Sequence, residues 1–398
     1  MTELRDQNPP TSSLARLAMA DVAQAAGLRS VQFVAWRDLD DPEAGGSEVH
    51  CSTIAKTWAE SGIEVNIRTS AVPGKIQKLQ RDGCGVNRRS GRYSLFPSIV
   101  FEGLMGGLAD HDALVEVWNG MPFFSPFWSK KPSIIFLHHV HAEMWKMVLS
   151  QRRAQLGWFI ESKLAPKIYK NSRIVTLSES SKQEITDLLG LAPDNISVIP
   201  PGIDAKFYPL GKKSDHPLIL AVGRLVKVKR FDKLIDIVAN LKTRYPSLEF
   251  LIVGEGSERE NLESQIKSKG AQDWIKLLGH ISNAQLIKAY RSAWVLASYS
   301  QREGWGMTIT EAAACGTPSV VSQITGHVNA IDEGLSGFMA SDEMEFEAHL
   351  DSILCDDDLR VKLAKGALNH SASFSWQATA RGALEELAIE MISSRRRR

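Results

Sequence analysis

Short, nearly unbroken apolar runs alternate along this chain with longer stretches whose apolar residues recur every three or four positions. The first clear run is Val31-Gln32-Phe33-Val34-Ala35-Trp36, as expected of a strand buried on both faces. A polar loop over 37–44 leads into Gly45-Gly46-Ser47-Glu48. Ser47 is placed to cap a helix whose Val49, Ile54, Ala55, Trp58 and Ala59 form one apolar stripe ending at Gly62. Val65-Asn66-Ile67 then reads as a strand, which completes a βαβ unit with its glycines at the turn. Further buried strands are predicted at 113–118, 133–137, 174–177 and 196–199, with helical patterns around 143–170 and 181–189. This alternation predicts a parallel α/β sheet.

Pro200-Pro201-Gly202-Ile203-Asp204 breaks the pattern, and a polar stretch over 206–215 follows, which places a domain boundary there. A second series starts with a strand at 218–222, a glycine turn and a helix over 230–242. Its later strands are expected at 250–253, 275–278, 294–297 and 319–321. The economical architecture is α/β: two doubly wound, Rossmann-like parallel-sheet domains facing each other across an interdomain cleft, with ligands at the strand carboxyl ends. The expected spans are 1–29 for an N-terminal extension, 30–205 for the first domain, 206–374 for the second, and 375–398 for a C-terminal helix and basic tail. Within the extension, residues 1–13 read as disordered and 14–28 as a short amphipathic helix.

Composition narrows the function classes. The 398 residues carry 47 basic against 46 acidic side chains, a net charge of +1, so no global field attracts nucleic acid. The run Arg395 to Arg398 is read as a solvated tail, with at most a peripheral contact to anionic lipid. Cys51, Cys84, Cys315 and Cys355 lack C-x-x-C spacing, which argues against a zinc site or disulfide framework and fits a reducing cytoplasm. The chain has no run of 18 apolar residues, so no transmembrane helix is expected. Arg16 and Asp21 interrupt the one stretch that mimics a signal peptide. The expected location is the cytoplasm, at most touching a membrane surface.

Candidate chemistry concentrates in Arg302-Glu303-Gly304-Trp305-Gly306-Met307-Thr308-Ile309-Thr310-Glu311-Ala312. Were the stretch wholly helical, its two carboxylates would lie about 12 Å apart along the axis, at about 1.5 Å per residue. That exceeds the roughly 5–9.5 Å between paired carboxylates that hydrolyse a glycosidic bond. The two Glu therefore suit different parts of one long ligand, and the glycines and helix start between them suit a phosphate. A nucleotide sugar has hydroxyls at both ends and phosphate in the middle. Upstream, the strand at 218–222 ends in Gly223-Arg224-Leu225-Val226-Lys227-Val228-Lys229-Arg230. There Arg224 offers a forked donor set and Lys229 a movable point charge for a diphosphate.

Gly223-Arg224-Leu225 with Lys229, Val253-Gly254-Glu255-Gly256, and Glu303 through Glu311 followed by 312–318 stand in the order and spacing of family 4 glycosyltransferases. The resemblance covers roughly residues 30–392 and is most specific over 303–318. It implies the two-domain GT-B fold and transfer of a sugar from a nucleotide-diphosphate sugar with retention of configuration. The sugar nucleotide is then a co-substrate and no cofactor is implied. Gly45-Gly46-Ser47-Glu48 resembles the family's glycine loop facing the donor phosphates, so Gly45 and Gly46 are implied donor contacts. Phe136-Leu137-His138 resembles the strand-end histidine beside the donor sugar; within His138-His139-Val140-His141, His138 is chosen because it follows the strand directly. Ser375-Trp376, with the helical segment behind it, resembles the helix that crosses back onto the first domain. Matched by position, Glu303 would bind sugar hydroxyls, the N–H groups of Gly306, Met307 and Thr308 the diphosphate, and Glu311 the ribose. Arg224 and Lys229 would neutralise the leaving diphosphate. The acceptor is implied to be a sugar, a lipid-linked sugar or another small molecule.

One departure is Ala297-Ser298-Tyr299-Ser300-Gln301-Arg302, where the family usually has Pro-Ser before the first Glu. Asp38-Leu39-Asp40 has the D-x-D form that binds metal in another glycosyltransferase fold, but it lies in a loop after the first strand, and no metal site is expected. Asp356-Asp357-Asp358 reads as a helix cap, and Cys315 as small-residue helix packing. The aromatic segment 118–128 fits either an acceptor platform or a loop packing its own rings. Rival readings are a sugar-nucleotide epimerase, a phosphorylase, and a non-catalytic nucleotide-sugar-binding subunit.

Overall fold

A computed structural model describes residues 18–397; the reading of residues 1–13 lies outside them. The chain forms two units. The first comprises the chain through Leu177, Lys182–Pro200 and the segment from Trp376; the second comprises Ser178–Ser181 and Pro201–Ser375. Within the second unit the Ser180 hydroxyl donates to Thr325 O at 2.6 Å.

Unit 1 holds an eight-stranded sheet of β1 (Ser30–Val34), β2 (Glu64–Thr69), β3 (Lys78–Arg81), β4 (Cys84–Arg88), β5 (Ala113–Trp118), β6 (Ser133–Leu137), β7 (Arg173–Thr176) and β8 (Ile196–Val198). Their order is β3-β4-β2-β1-β5-β6-β7-β8. All pairings are parallel except β3 with β4. That edge pair is absent from the sequence expectation, because Lys78, Gln80 and Arg81 leave Leu79 as the lone apolar residue of β3 and no hydrophobic run to read.

The helices that matter here are α1 (Met19–Ala26), α2 (Gly46–Glu60), α3 (Leu95–Leu104), α4 (Gln151–Phe159), a π turn (Ile160–Leu164) and α5 (Ala165–Tyr169). Val22 of α1, Trp58 of α2, and Leu384 and Leu387 of the last helix, Trp376–Arg397, share one core with Phe33 and Phe136. The Trp58 indole N–H donates to Ala380 O at 2.8 Å, pinning α2 to that helix. Deleting so large a buried side chain is expected to cost about 3–5 kcal/mol. The last helix runs on into the arginines read as a solvated tail. Arg397 pairs with Glu390, and Arg395 lies over Gly27 at the C-terminus of α1, where a cation meets the negative end of the helix dipole.

Unit 2 is a six-stranded, wholly parallel sheet of β9 (Leu218–Val222), β10 (Glu249–Val253), β11 (Ile275–Gly279), β12 (Val295–Ser298), β13 (Ser319–Ser322) and β14 (Gly337–Ala340). The order β11-β10-β9-β12-β13-β14 is the 3-2-1-4-5-6 arrangement of dinucleotide-binding sheets. Its α6 (Phe231–Leu241) buries Leu234, Ile235, Val238 and Leu241 in the same core as Ile219, Phe250 and Phe346. A second helix, α7 (Met307–Ala314), follows β12. Strand order reverses between β9 and β12 here, and between β1 and β5 in unit 1. At such points the loops leaving the strand carboxyl ends diverge and open a crevice. Among the described residues, no helix is long and apolar enough to cross a membrane.

Candidate active site

In unit 2 the reversal falls between the strands that carry the predicted residues. Arg224 and Lys229 follow β9, Glu303 and Gly306 follow β12, and His327 follows β13, so neighbouring strands deliver three loops to one edge. The Gln301 N–H donates to Val228 O at 2.8 Å and ties the second loop to the first. Lys229 Nζ then donates to Glu303 Oε1, which also accepts from the Ser300 hydroxyl at 2.8 Å. The chain of bonds continues: the Ser322 hydroxyl donates to Ser300 O at 2.5 Å, and His327 Nδ1–H donates to Ser322 O at 2.9 Å. Burial pushes the Glu303 carboxyl up, but Lys229 and then His327 outweigh it and hold the group below the ordinary range. His327, enclosed, is pushed down to about 4 by burial despite the carboxylate of Glu303. Its Nδ1 must carry the proton, and Nε2 lies buried without a partner.

Two glycines let these loops meet. Gly306, at φ 87°, ends the loop and caps α7, in a left-handed conformation that other residues adopt at a cost. A Cβ on Gly326 would fall 2.1 Å from Glu303 O, so only glycine fits against that carbonyl. Met307 and Thr308 are the first residues of α7, where helix geometry leaves N–H groups without intrahelical acceptors. Those donors and the positive end of the helix dipole suit an anion. Glu311, a turn further along α7, accepts from the buried Tyr290 hydroxyl at 2.8 Å. Burial raises the Glu311 carboxyl to about 7, against the opposing pull of Tyr290 and Lys206. Glu303 is therefore a charged acceptor, whereas Glu311 is poised between acid and carboxylate. The stretch 303–311 is only half helical, since Glu303 lies in the loop before α7.

Unit 1 presents its own strand ends. The α2 helix starts at Gly46, with Gly45 as its cap, rather than at Ser47. The Glu48 carboxylate reaches back to accept the Gly45 N–H at 2.7 Å, a bond to the cap residue itself rather than the first-turn bond expected of the Ser47 hydroxyl. The Ser47 hydroxyl instead accepts from Asn119 Nδ2 at 3.0 Å, joining the loops after β1 and β5 at the reversal. His138 follows β6 directly but is only 4% exposed, with Nε2 placed 3.2 Å from His50 Nδ1. Burial and then His139 push His138 down to about 3, and burial holds His50 well below the usual histidine value. Both rings are neutral near pH 7. His139, half-buried, is the most exposed of the three neighbouring histidines and stacks on His141.

The other sequence clusters resolve into structure. Asp38 pairs with Arg81 at 3.0 Å and Arg88 at 2.9 Å, and Asp40 pairs with the same two arginines. Among the described residues no group of three His, Cys, Asp or Glu could hold a metal ion. Asp356 caps its helix through Leu359 N–H at 2.9 Å, and Cys315 is buried at the end of α7. In the aromatic segment Phe123 is enclosed and Trp128 nearly so, while the buried Glu116 accepts from Phe123 N–H, Ser125 N–H and the Tyr169 hydroxyl. The segment mostly packs its own rings; Phe127 alone stands well out, at 69% exposed. Sequence reasoning missed Tyr290, Ser300, Ser322 and His327. Each acts through a partner from another strand or helix, and none sits in a repeating pattern.

Residues 44–207 match the family model described as Glycosyltransferase Family 4, and residues 203–370 match Glycosyl transferases group 1. A D-inositol 3-phosphate glycosyltransferase of Frankia alni is 27% identical over 383 residues, which cover 86% of this chain and 94% of that protein. Among solved structures, sucrose-phosphate synthase from Thermosynechococcus elongatus superposes with a TM-score of 0.73 at 19% identity, over 93% of this chain and 98% of the other. HepE from Anabaena, solved with UDP and glucose, superposes with a TM-score of 0.70 at 18% identity, over 92% of this chain and all (100%) of the other.

Proposed function

Because this chain belongs to the family 4 glycosyltransferases and has their GT-B fold, we propose that it transfers a hexosyl group from a nucleotide-diphosphate sugar to a phosphorylated or glycosidic acceptor, with retention of configuration. The observation that carries this reading is the meeting of Lys229, Glu303 and the start of α7 where the unit 2 sheet reverses. A diphosphate at the α7 N-terminus would receive the N–H groups of Gly306, Met307 and Thr308, with Arg224 and Lys229 as its counter-charges. Glu303, exchanging Lys229 for sugar hydroxyls, would orient the hexose, and Glu311 would take the ribose hydroxyls. The HepE structure holds UDP and glucose, so UDP-sugars are the first donors to try. The Frankia relative is named for D-inositol 3-phosphate, which makes that polyol phosphate the first acceptor.

In the proposed step the bond from the anomeric carbon to the diphosphate oxygen breaks and a bond to the acceptor oxygen forms on the same face. The acceptor's proton passes to the departing phosphate oxygen. Charge builds on the diphosphate as the bond stretches, so Arg224 and Lys229 contribute most in the transition state. They supply that charge without a metal ion, and activity is expected to persist in a chelator. Gly45, Gly46 and His138 enter the proposal through the family resemblance, as donor-side contacts from unit 1. With its ring neutral, His138 would act as a hydrogen-bonding group rather than as a cation.

The test begins with thermal shifts for UDP, GDP and ADP; a ligand at 100 times its Kd stabilises by about 2.7 kcal/mol, enough to rank the bases. The matching sugar nucleotides are then incubated with D-inositol 3-phosphate and the product is read by NMR. An α-linked product from an α-donor supports the reading. A β-linked product overturns retention, and donor isomerisation without acceptor points instead to an epimerase.

A further inference from the structure

Apart from the strand-end residues, unit 1 carries a surface that the transfer reading does not use. The α4 helix, the π turn and α5 make one helical rod over residues 151–169, about 28 Å long at about 1.5 Å per residue. Its inner side buries Ala154, Gly157, Glu161, Ala165 and Tyr169. Glu161 is the only acid between residues 151 and 170. Its carboxylate faces inward, accepting His141 N–H at 2.8 Å, Ala142 N–H at 3.2 Å and the Trp145 indole N–H at 2.8 Å.

The outer side is basic. Arg152, Arg153, Lys163, Lys167 and Lys170 are all exposed, and among the described residues none of the five is paired with an acid. Between them stand Leu156, Phe159 and Leu164, at 59%, 57% and 41% exposed. In an uninterrupted α-helix Phe159 and Leu164 would point about 140° apart. The i→i+5 turn between them brings them to one side, so the turn builds a face that a regular helix of this sequence would split. The neighbouring Ser125–Trp128 helix packs against α5 and adds the exposed Phe127.

We propose that this face docks on an anionic lipid bilayer, with Leu156, Phe159 and Leu164 in the headgroup and acyl boundary and the five cations among the lipid phosphates. Exposed apolar side chains flanked by unneutralised Lys and Arg have the composition of an interfacial helix. A second copy of the chain is a poor occupant, since a two-fold contact would set this row of cations against itself. The arginine-rich C-terminus does not account for the same property, because Arg395 and Arg397 are already engaged within unit 1.

The experiment is co-sedimentation of the full chain with vesicles of phosphatidylcholine alone and of phosphatidylcholine mixed with phosphatidylglycerol. Binding is expected to the mixed vesicles only and to weaken as added salt shortens the Debye length. The double variant Lys163→Glu/Lys167→Glu should partition at least about 30-fold more weakly, and Leu156→Ser/Phe159→Ser should also lose binding. These side chains are exposed, so both variants should keep the wild-type unfolding temperature and UDP-induced shift, which separates this inference from the transfer reading. Failure to bind mixed vesicles, equal binding to neutral ones, or wild-type binding by a folded variant overturns it. Capture of an acidic polypeptide such as polyglutamate without any vesicle binding overturns it as well.

Discussion

Lys229 and Glu303, which arrive on loops from two different strands, are bonded to each other, their side chains 19% and 14% exposed. The proposed donor would need both groups, one for its phosphate and one for its sugar, and in this structure each occupies the other. The pair neutralises two charges that would otherwise be costly to hold half-buried.

Replacing Glu303 by Ala is therefore expected to separate two properties. Transfer should be lost, because sugar hydroxyls lose their acceptor. UDP alone should bind at least as tightly as to wild type, because Lys229 is released for phosphate. Calorimetric titration with UDP beside a transfer assay checks this, and parallel loss of both would reject the sugar role.

Arg224→Ala should reduce turnover by about 100-fold or more while changing donor affinity much less, as expected of a group acting on charge that develops in the transition state. Steady-state kcat beside the equilibrium Kd for the sugar nucleotide is the measurement. An equal drop in both would make Arg224 a ground-state binding residue.

Glu311 gives a prediction with a sign. Its folded value of about 7 lies above that of an ordinary carboxyl, so the folded chain holds this proton more tightly than the unfolded chain. The stabilisation is present at acid pH and is lost as pH rises through about 7. Glu311→Gln should thus raise the unfolding temperature relative to wild type on the alkaline side and leave it nearly unchanged at low pH. The same variant should weaken UDP binding. Loss of stability at every pH would mean that Glu311 is ionised and needed for folding.

His327 and His138 act in the opposite direction, with folded values pushed down to about 4 and about 3. Each is held neutral in the folded chain and takes up a proton on unfolding, so stability should fall as pH drops below the usual histidine value. His327→Gln should remove part of that slope in a pH series of unfolding midpoints. An unchanged slope would indicate that other groups carry the acid sensitivity.

Gly326→Ala would place a methyl carbon 2.1 Å from Glu303 O. The loop must then move, and transfer should fall by at least about 100-fold, since small misplacements of a positioned group have effects of that size. The rest of unit 2 has no reason to unfold. A wild-type rate would mean that this loop does not set the position of Glu303.

The alternation of apolar runs and helical stripes by itself determined the α/β class, because strands buried on both faces must be apolar throughout and their covering helices must repeat every three to four residues. It also located most of the strands and, through the order of the motifs, the residues at their carboxyl ends. The polar edge pair β3 and β4 carried no such signal, and neither did the short β14. Only the tertiary structure decided what those residues face. Sequence spacing set Glu303 and Glu311 on either side of a helix start, but that Glu303 lies in a loop where β9 and β12 bring it to Lys229 is a tertiary fact. Ser300 and His327 at Glu303, Tyr290 at Glu311, and Ser322 holding Ser300 and His327 act through contacts that no periodicity encodes. In the same way, the helical pattern around 143–170 did not say which side stays outside; one wide turn and the inward-facing Glu161 decide that. Local pattern reports which residues must leave water, whereas the partner that each polar group finds depends on strands and helices distant in sequence.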